Sequence, residues 1–422
     1  MSRRISKVEG LNVLSLFDGV SMARIALEKA NVKIANYYFS EIKKHAIENT
    51  LKKFPSSISL GDVCKVHYEN NTLYKNCERE IVDCFDNYEG KVSWTKEELD
   101  TFKKNGYEVI SNGDVLKWKL GEKVCEGEID LLIGGSPCTQ FSFASCFYNS
   151  KEKYGLKGKD SKLFYEYDRI RREVNPTYYF LENVRMKKES KKALDAFMEV
   201  EGISANSELV SFAYRDRIYW TNIEGAKAPS DRGVFWDEYK LMTLPRMEAL
   251  LYKRRFEGDT TPYNLTPMEI DEICAKNEWA YSELRNAISP KLTKEEFVEE
   301  LHSMIYESMA KKTPYREQMW NGGLCNGRKV NSKNITNAQK TSCITRRLDR
   351  CPNSGLIAFH DFFRFMTKLE LCKGQTIDYK YLYGMSYRDT QDVCGDGFTI
   401  DMVSHFLEGL NNVYDFGEKK EA

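Results

Sequence analysis

The stretch LNVLSLFDGVSMARIALEKA, residues 11–30, decides the fold of this chain. Residues 11–17 are mostly apolar and have the length of a buried strand, and the sequence FDG at residues 17–19 then turns the chain directly into a helical pattern over residues 21–30. A glycine at such a bend lets the main chain approach a ligand closely, and the start of a helix offers unpaired N–H groups. The stretch therefore predicts the first strand, turn and helix of a sheet that binds a nucleotide-like ligand.

Strands and helices continue to alternate through the first half of the chain. Helical patterns are predicted at residues 45–54 and 162–173. Further strands are predicted at residues 34–40, 58–63, 129–134 and 178–182, with an alternating pair over residues 209–223. This alternation predicts an α/β fold with a doubly wound, mostly parallel sheet and helices on both faces.

Two segments interrupt this order. Residues 64–112 are polar and rich in tyrosine, and they are too long for an ordinary connection, so we expect an insertion within a first domain of residues 1–223. Residues 224–355 lack the strand alternation and are expected to form a separate, smaller domain. Helical patterns in this second segment are predicted at residues 237–251 and 294–310.

A basic tract ends the second segment. Between residues 311 and 350 only Glu317 and Asp349 are acidic, against the cations Lys311, Lys312, Arg316, Arg328, Lys329, Lys333, Lys340, Arg346, Arg347 and Arg350. Such a tract is either a solvated loop or a surface that contacts phosphates. We favour phosphate contact because the tract adjoins the motifs described below.

The composition of the chain excludes several classes of protein. Lys and Arg total 63 and Asp and Glu total 63, so any nucleic-acid surface must be local. No stretch approaches the ~20 apolar residues of a membrane span, and the start lacks a secretory pattern, so we expect a cytoplasmic protein of a bacterial or phage-infected cell. The 12 cysteines are expected to be free thiols, and we expect no metal site because none of their spacings is C-x-x-C.

Acidic residues close the second and third predicted strands. Glu41 can accept hydrogen bonds from ribose hydroxyls, and Asp62 can hold an adenine amino group. Each could instead cap the end of its strand. A second GDV sequence places Asp114 in a similar position, but we favour Asp62 because FPSSISLGDV, residues 54–63, continues directly from the second helix.

The sharpest motif is DLLIGGSPCTQFSFA, residues 130–144, in which an apolar strand runs into a short turn that ends in Pro137 and Cys138. A cysteine on a loop at the carboxyl edge of a parallel sheet lies where such sheets place their active sites. Its thiol must be activated by its surroundings, because a free cysteine with a pKa of about 8.5 is mostly protonated at neutral pH. The motif predicts a nucleophile.

Two further strands bring charged groups to the same edge. In YYFLENVRM, residues 178–186, a hydrophobic strand ends in Glu182 and Asn183, and Glu182 can act as an acid beside the thiol. In FAYRDRIYWTNI, residues 212–223, Arg215 and Arg217 are two apart and would point to one face of a strand, where they can orient a base or a phosphate.

In this order the motifs resemble those of the DNA cytosine-5 methyltransferases. The resemblance spans nearly the whole chain and includes FDGVS at 17–21, Glu41, GDV at 61–63, GGSPCTQFS at 134–142, ENV at 182–184, YRDRIYW at 214–220 and TQDVCGDGFTIDMVSHFL at 390–407. The SPC, ENV and RxR forms look closest to phage and bacterial enzymes that are similar to the eukaryotic de novo-type methyltransferases. The resemblance implies a Rossmann-like S-adenosylmethionine-dependent fold, a target-recognition domain at residues 224–355, and a C-terminal segment, 356–422, whose last helix near residues 400–410 packs beside the first motif.

The resemblance also implies individual roles. Cys138 would add to C6 of a cytosine flipped out of the duplex, Glu182 would contact N3 and the exocyclic amine, and Arg217 would hold the O2 side, with Arg215 in the same catalytic group. Asp396 departs from the family, which usually has asparagine there. The residues expected to contact S-adenosylmethionine are Phe17, Asp18, Gly19, Val20, Glu41, Ile42, Asp62, Val63, Pro137, Asp396 and Phe398.

Double-stranded DNA is the expected partner, and the chain is expected to act as a monomer without a membrane. A restriction endonuclease partner and an anti-restriction role in a phage both stay open. Two other functions also stay open, namely a tRNA cytosine-5 methyltransferase and a silent DNA-binding regulator. A large recognition domain argues against the first, and the presence of Cys138 and Glu182 argues against the second. The recognition sequence is not predicted.

Overall fold

The computed structural model describes residues 5–83, 94–110, 113–137, 162–321, 324–325, 328–329, 334–348 and 355–416. The chain divides into two compact units. The first contains Met1–Ala205, Asp216–Ala228 and Val403–Ala422, and the second contains Asn206–Arg215 and Pro229–Met402.

A seven-stranded sheet organises the first unit. Its strands, labelled in chain order, are β1 (Leu11–Leu16), β2 (Ile34–Ser40), β3 (Ile58–Gly61), β4 (Leu131–Gly134), β5 (Tyr178–Val184), β6 (Ile203–Asn206) and β7 (Asp216–Thr221). Their order across the sheet is β6-β7-β5-β4-β1-β2-β3. The five strands from β5 to β3 in that order are parallel to their neighbours, whereas β7 is antiparallel to β5. The predicted α/β fold with a mostly parallel sheet is confirmed.

Apolar burial explains these elements. All four residues of β4 are buried, as expected for a strand with a parallel neighbour on each side. Four helices of this unit are α1 (Met22–Lys29), α2 (Lys44–Lys53), α4 (Lys162–Val174) and α5 (Lys188–Met198). Within α4, Phe164, Tyr167 and Ile170 are spaced at three residues and are fully buried.

The described residues of the segment predicted as an insertion over residues 64–112 form strands and a helix. One small antiparallel sheet contains His67–Glu69, Thr72–Lys75 and Glu122–Glu126, and a second contains Glu78–Asp83, Glu108–Val109 and Val115–Lys119. The helix α3 (Lys96–Lys104) begins with a capping box between Thr95 and Glu98. Strands of these sheets therefore continue beyond residue 112, as far as Glu126.

The predicted pair of strands over residues 209–223 is wrong in its first half. Asn206 accepts a hydrogen bond from the Glu208 N–H and starts a 3-10 turn at Ser207–Leu209, which diverts the chain from an extended path. The strand β7 begins only at Asp216. It lies between β5 and the earlier strand β6, and the sequence did not predict β6.

Helices dominate the second unit. They are α6 (Pro245–Glu257), α7 (Pro267–Lys276), α8 (Glu278–Ala287), α9 (Lys294–Ser308), α10 (Pro314–Asn321), α11 (Lys368–Gly374) and α12 (Tyr387–Asp396). The predicted helix at residues 294–310 matches α9, and the one at 237–251 begins later, at Pro245. A buried ion pair between Arg364 and Glu370, 2.7 Å apart, lies beside the start of α11.

A last helix, α13 (Ile400–Leu407), returns to the first unit. The ring of Phe406 packs against Tyr219 of β7 at 4.9 Å, and the Asn411 side chain donates a hydrogen bond to the carbonyl of Ala30, just after α1. Among the described residues there is no helix long and apolar enough to cross a membrane.

Candidate active site

Several of the residues predicted to act together lie at or near the carboxyl ends of five neighbouring strands. In the order β5, β4, β1, β2, β3, these strands lead to Glu182, Pro137, the turn at residues 17–20, Glu41 and Asp62. The chain runs outward from β1 to β3 and then crosses back to β4 on the other side of β1. Open α/β sheets bind ligands at such a change of direction.

The turn after β1 has an unusual main-chain shape. Phe17, Gly19 and Ser21 all have positive φ angles, of 58°, 61° and 59°. Gly19 adopts this shape without strain, whereas the two residues with a Cβ must be held in it by their surroundings. Val20, in the same turn, is buried.

Asp18 holds this turn together. Its carboxylate accepts hydrogen bonds from the hydroxyls of Ser15 and Ser21, both at 2.5 Å, and from Tyr37 at 2.6 Å. Burial raises the pKa of Asp18, although these three donors partly oppose the rise. Ser15 and Tyr37 were not predicted, and their only signal was a hydroxyl within an apolar strand. The three contacts favour a structural role for this carboxylate.

Glu41 joins the ends of β1 and β2. One carboxylate oxygen accepts the Gly19 N–H at 2.8 Å, and the other accepts the N–H groups of Ile42 and Lys43 at 2.8 and 2.9 Å. The side chain of Ile42 is 75% exposed, which is unusual for a large apolar residue and suits the face of a planar ligand.

Asp62 directly follows β3 and caps the 3-10 turn Val63–Lys65 by accepting the Cys64 N–H at 2.9 Å. Val63 is buried. Asp114, the alternative, precedes a strand of the second small sheet and does not end a strand of the central one. The sheet topology therefore favours Asp62 for a ligand contact beside Glu41.

The loop after β4 is anchored to β5. The Asn183 amide donates hydrogen bonds to the Ser136 hydroxyl at 3.0 Å and to its carbonyl at 3.3 Å. Pro137 follows at an intermediate exposure, and Cys138 lies outside the described residues. Sequence reasoning gave Asn183 no role, although an amide directly after Glu182 was visible in the ENV motif. This amide fixes the last described residues before Cys138.

The space around Gly134 shows how closely β4 is packed. An added Cβ would lie 2.9 Å from the Leu16 carbonyl oxygen and 3.1 Å from the Tyr167 ring. We therefore expect Gly134→Ala to lower the free energy of unfolding by about 1–3 kcal/mol, because the strand must shift. Urea unfolding followed by circular dichroism measures the change. An unchanged urea midpoint would show that β4 can shift to accept the added methyl group. Close packing of β4 would then not hold the following loop in place.

Glu182 lies in β5 with its side chain 10% exposed. Its Oε1 atom is 2.7 Å from Nε of Arg217, which lies on the antiparallel strand β7. The two atoms are close enough for an ion pair but are not aligned as a hydrogen bond, and Oε1 accepts no hydrogen bond from any described residue. A buried carboxylate oxygen without a donor is suited to receive one from a ligand.

Arg215 has a different environment from Arg217. It precedes β7, so the two-residue alternation of a strand does not apply to it. Its buried guanidinium donates to the main-chain carbonyls of Gly395 at 3.1 Å and Asp396 at 3.3 Å. These carbonyls lie at the end of α12, where a cation is favoured. The structure therefore places Arg217, and not Arg215, on Glu182.

Asp396, the unusual acidic residue, faces Arg346. The carboxylate lies 3.5 Å from Nε of Arg346, and the same atom is 2.5 Å from Asp392. Both carboxylates raise the pKa of Arg346 against the opposing effect of burial. Phe398 lies at intermediate exposure in the short link between α12 and α13. No sequence pattern indicated Arg346 as the partner.

Several cations of the basic tract have partners inside their own unit. Besides Arg346, Lys312 pairs with Asp361 at 2.8 Å, and Lys340 donates to the carbonyls of Glu208 and Ser211 at 2.7 and 3.0 Å. These contacts stabilise the local fold and reduce the number of cations left for phosphates.

Comparisons with known proteins bear on this arrangement. Residues 85–201 match the family described as C-5 cytosine-specific DNA methylase. The chain is 27% identical over 175 residues to the orphan methyltransferase M.Rho11sI of Bacillus phage rho11s, and 28% identical over 168 residues to the DNA (cytosine-5)-methyltransferase DRM2 of rice, Oryza sativa subsp. japonica. These alignments span 42% and 40% of this chain, and 23% and 20% of the relatives.

Two solved structures are also similar along most of the chain. One is a DNA modification methyltransferase encoded within an E. coli prophage, with 14% identity, 96% and 99% of the two chains covered, and a TM-score of 0.44. The other is the Dnmt2 methyltransferase of S. pombe, with 11% identity, 95% and 98% covered, and a TM-score of 0.47. The sequence relatives confirm the resemblance that the motifs predicted.

Proposed function

We propose that this chain, which resembles the C-5 cytosine-specific DNA methylases, transfers a methyl group from S-adenosylmethionine to C5 of a cytosine in duplex DNA. The observation that carries the proposal is the pairing of Glu182 with Arg217 beside the loop that leads to Cys138. A carboxylate with an oxygen that lacks a donor, a fixed guanidinium and a cysteine loop are the groups that addition to a pyrimidine requires.

The turns after β1, β2 and β3 fit the cofactor. The exposed Ile42 offers an apolar face to adenine, Glu41 stands at the end of β2 where a ribose would lie, and Asp62 follows β3. We assign the other contacts to Phe17, Gly19 and Pro137, with Val20, Val63 and Asp18 shaping the turns and with Asp396 and Phe398 as further candidates. When bound, S-adenosylmethionine supplies an electrophilic methyl group.

The protein's own groups prepare the cytosine. The Cys138 thiolate forms a bond to C6, and the electron pair of the C5–C6 double bond moves onto C5, which makes this carbon nucleophilic. Glu182 shares a proton with N3 and accepts from the exocyclic amine, so it neutralises charge that develops during addition. Arg217 holds the O2 side of the ring. After methylation a base, such as water, removes the C5 proton, the double bond re-forms and the thiolate leaves.

Cytosine must leave the base stack to reach these groups. Flipping costs a few kcal/mol, which contacts to the extruded base offset. We assign recognition of the surrounding sequence to residues 224–355, where the helices of the second unit and the basic tract lie. The protein is then expected to bind DNA with an affinity that falls as salt concentration rises.

Glu41 provides a test of the cofactor site. We expect Glu41→Ala to weaken S-adenosylmethionine binding by about 10- to 100-fold, because the variant loses the ribose acceptor and the link to Gly19. Isothermal titration calorimetry measures the dissociation constant. Glu48→Ala is the matched control, since Glu48 is an exposed carboxylate on α2 that pairs with Lys44. An equal affinity of both variants would contradict the assignment.

The proposed activity is tested with tritiated cofactor and purified protein. Duplex DNA and tRNA are offered separately, and methylation-sensitive sequencing then identifies the modified position. Label at cytosine C5 in DNA supports the proposal. Label only in tRNA would establish the tRNA enzyme, and absence of label with retained DNA binding would establish the regulator; either result overturns the proposal.

A further inference from the structure

A second group of titratable side chains is buried where the small sheets contact α4. His67 lies on a strand of the first small sheet, Glu108 on a strand of the second, and Glu173 near the end of α4. One side-chain nitrogen or oxygen of each lies within 4.8 Å of those of the other two. Three separate segments of the chain thus bring a histidine and two carboxylates together.

His67 is the unusual member of this group. Its side chain is only 7% exposed, and Nδ1 makes no hydrogen bond with any described residue, although Oε1 of Glu173 lies 3.2 Å away. Two ligands about 2.0–2.1 Å from a tetrahedral zinc ion would lie roughly 3.3 Å apart. The spacing of these two atoms therefore matches an edge of a tetrahedral coordination shell.

Both carboxylates are oriented by other hydrogen bonds. The Trp118 indole donates to Oε2 of Glu108 at 2.6 Å, and the Tyr68 N–H donates to Oε2 of Glu173 at 2.9 Å. Hydrogen bonds to the outer atoms of ligating side chains are the usual means by which proteins orient metal ligands. The His67 ring also stacks on Trp118, with centroids 4.6 Å apart, which fixes its plane.

The charges around the group favour an added cation. Among the described residues, Glu166 pairs with Arg79 and Arg169, and Glu173 pairs with Arg169, while the Glu69 carboxylate lies 3.5 Å from Nε2 of His67 and adds negative charge. Burial, with a contribution from Glu173, raises the pKa of Glu108 to about 7. Burial lowers the pKa of His67, but Glu173 outweighs this effect and the net shift is upward.

The guanidinium of Arg169 also contacts this group, because it pairs with the Glu173 carboxylate. Its guanidinium is fully buried and has three further partners, the Glu166 carboxylate and the carbonyls of Val63 and Val66. Arg169 therefore keeps its position when Glu173 shares an oxygen with another cation.

We propose that His67, Glu108 and Glu173 bind a divalent zinc-class metal ion that fastens both small sheets to α4. Imidazole and carboxylate ligands suit zinc. Because the ligands are far apart along the chain, the ion closes two long loops and stabilises the first unit. Cysteine spacing could not reveal this site, since it contains no cysteine.

The test measures metal bound to the full-length chain. Protein stripped with a chelator is dialysed against Zn²⁺ and analysed by mass spectrometry of the metal. We expect one tightly bound ion per chain, lost in His67→Asn and in Glu108→Gln. His405→Asn is the matched control, because its imidazole also lies 3.5 Å from a carboxylate, that of Glu408. Circular dichroism verifies that each variant is folded.

Two further measurements make the test independent of variant folding. Co²⁺ bound to the unmodified protein should give the visible d–d bands of tetrahedral coordination without the strong near-ultraviolet band of cobalt-thiolate bonds, since no cysteine is a ligand. Affinity should also decrease from pH 8 to pH 6, because protons compete with a metal ion for imidazole and carboxylate ligands. Zinc absent after dialysis, zinc retained by His67→Asn, or a thiolate band overturns the proposal.

Discussion

Cys138→Ser is expected to abolish methyl transfer while leaving the affinity for S-adenosylmethionine within about twofold of the unmodified protein. A serine hydroxyl is far less acidic than a thiol, so almost none of it is present as the anion that must add to C6. We expect at least a 1,000-fold loss of turnover. The turns after β1 and β3 are held by Glu41 and Asp62, which accept main-chain N–H groups of Gly19 and Cys64, so we expect cofactor binding to persist.

Tritium transfer to duplex DNA measures the turnover, and calorimetry measures the cofactor affinity. DNA that contains 5-fluorocytosine adds a direct readout, because the fluorine prevents loss of the C5 substituent and traps the covalent adduct. The unmodified protein should form the adduct and Cys138→Ser should not. Cys343→Ser serves as the control, since Cys343 is a free thiol of intermediate burial. Methylation by Cys138→Ser at more than a few per cent of the normal rate would refute the assigned nucleophile.

The second large effect is expected from Glu182→Gln, which keeps the size of the side chain and removes its charge. The amide cannot share a proton with N3, and it also removes the ion pair with Arg217. Loss of a positioned acid and of electrostatic stabilisation together predicts a decrease of about 100- to 10,000-fold in kcat/KM.

The control for this prediction is Glu201→Gln, a change at an exposed carboxylate near Lys191 in the same unit. Single-turnover kinetics with tritiated cofactor separate the chemical step from DNA binding. The loss should appear in the rate of that step, with the Kd for DNA little changed. A rate within threefold of normal for Glu182→Gln would show that the carboxylate does not contact the reacting ring.

Sequence patterns predicted β1 to β5 because each follows a largely apolar run of strand length, whereas β6 was not predicted and β7 begins later than predicted. Residues 34–40 were predicted to the residue, and β4 and β5 differ from their predictions only at their ends. The small sheets were missed because their short strands are only partly buried and carry no long apolar run. Helix α7 was missed despite its capping box between Thr266 and Glu269, since its apolar face is narrow.

For the candidate site, the sequence predicted where residues lie along the strands but not which side chains they contact. Position at a strand end was enough to single out Glu41, Asp62 and Glu182, because the carboxyl ends of parallel strands share one edge. The partners of each side chain depend on contacts between distant segments, which periodicity does not encode. Arg215 illustrates this limit. Because β7 begins at Asp216, Arg217 lies in the strand and pairs with Glu182, whereas Arg215 lies just before it and donates to the carbonyl of Gly395.

The hydrogen bonds between Asn183 and Ser136 have a mechanical consequence. They couple the loop after β4 to the strand that carries Glu182, so a sideways displacement of β5 would carry the start of the loop with it. Thermal fluctuations of the two segments should therefore be correlated rather than independent. Replacement of residues 224–355, to which we assign recognition, should leave this coupling intact, provided that Asn183 and Ser136 are kept.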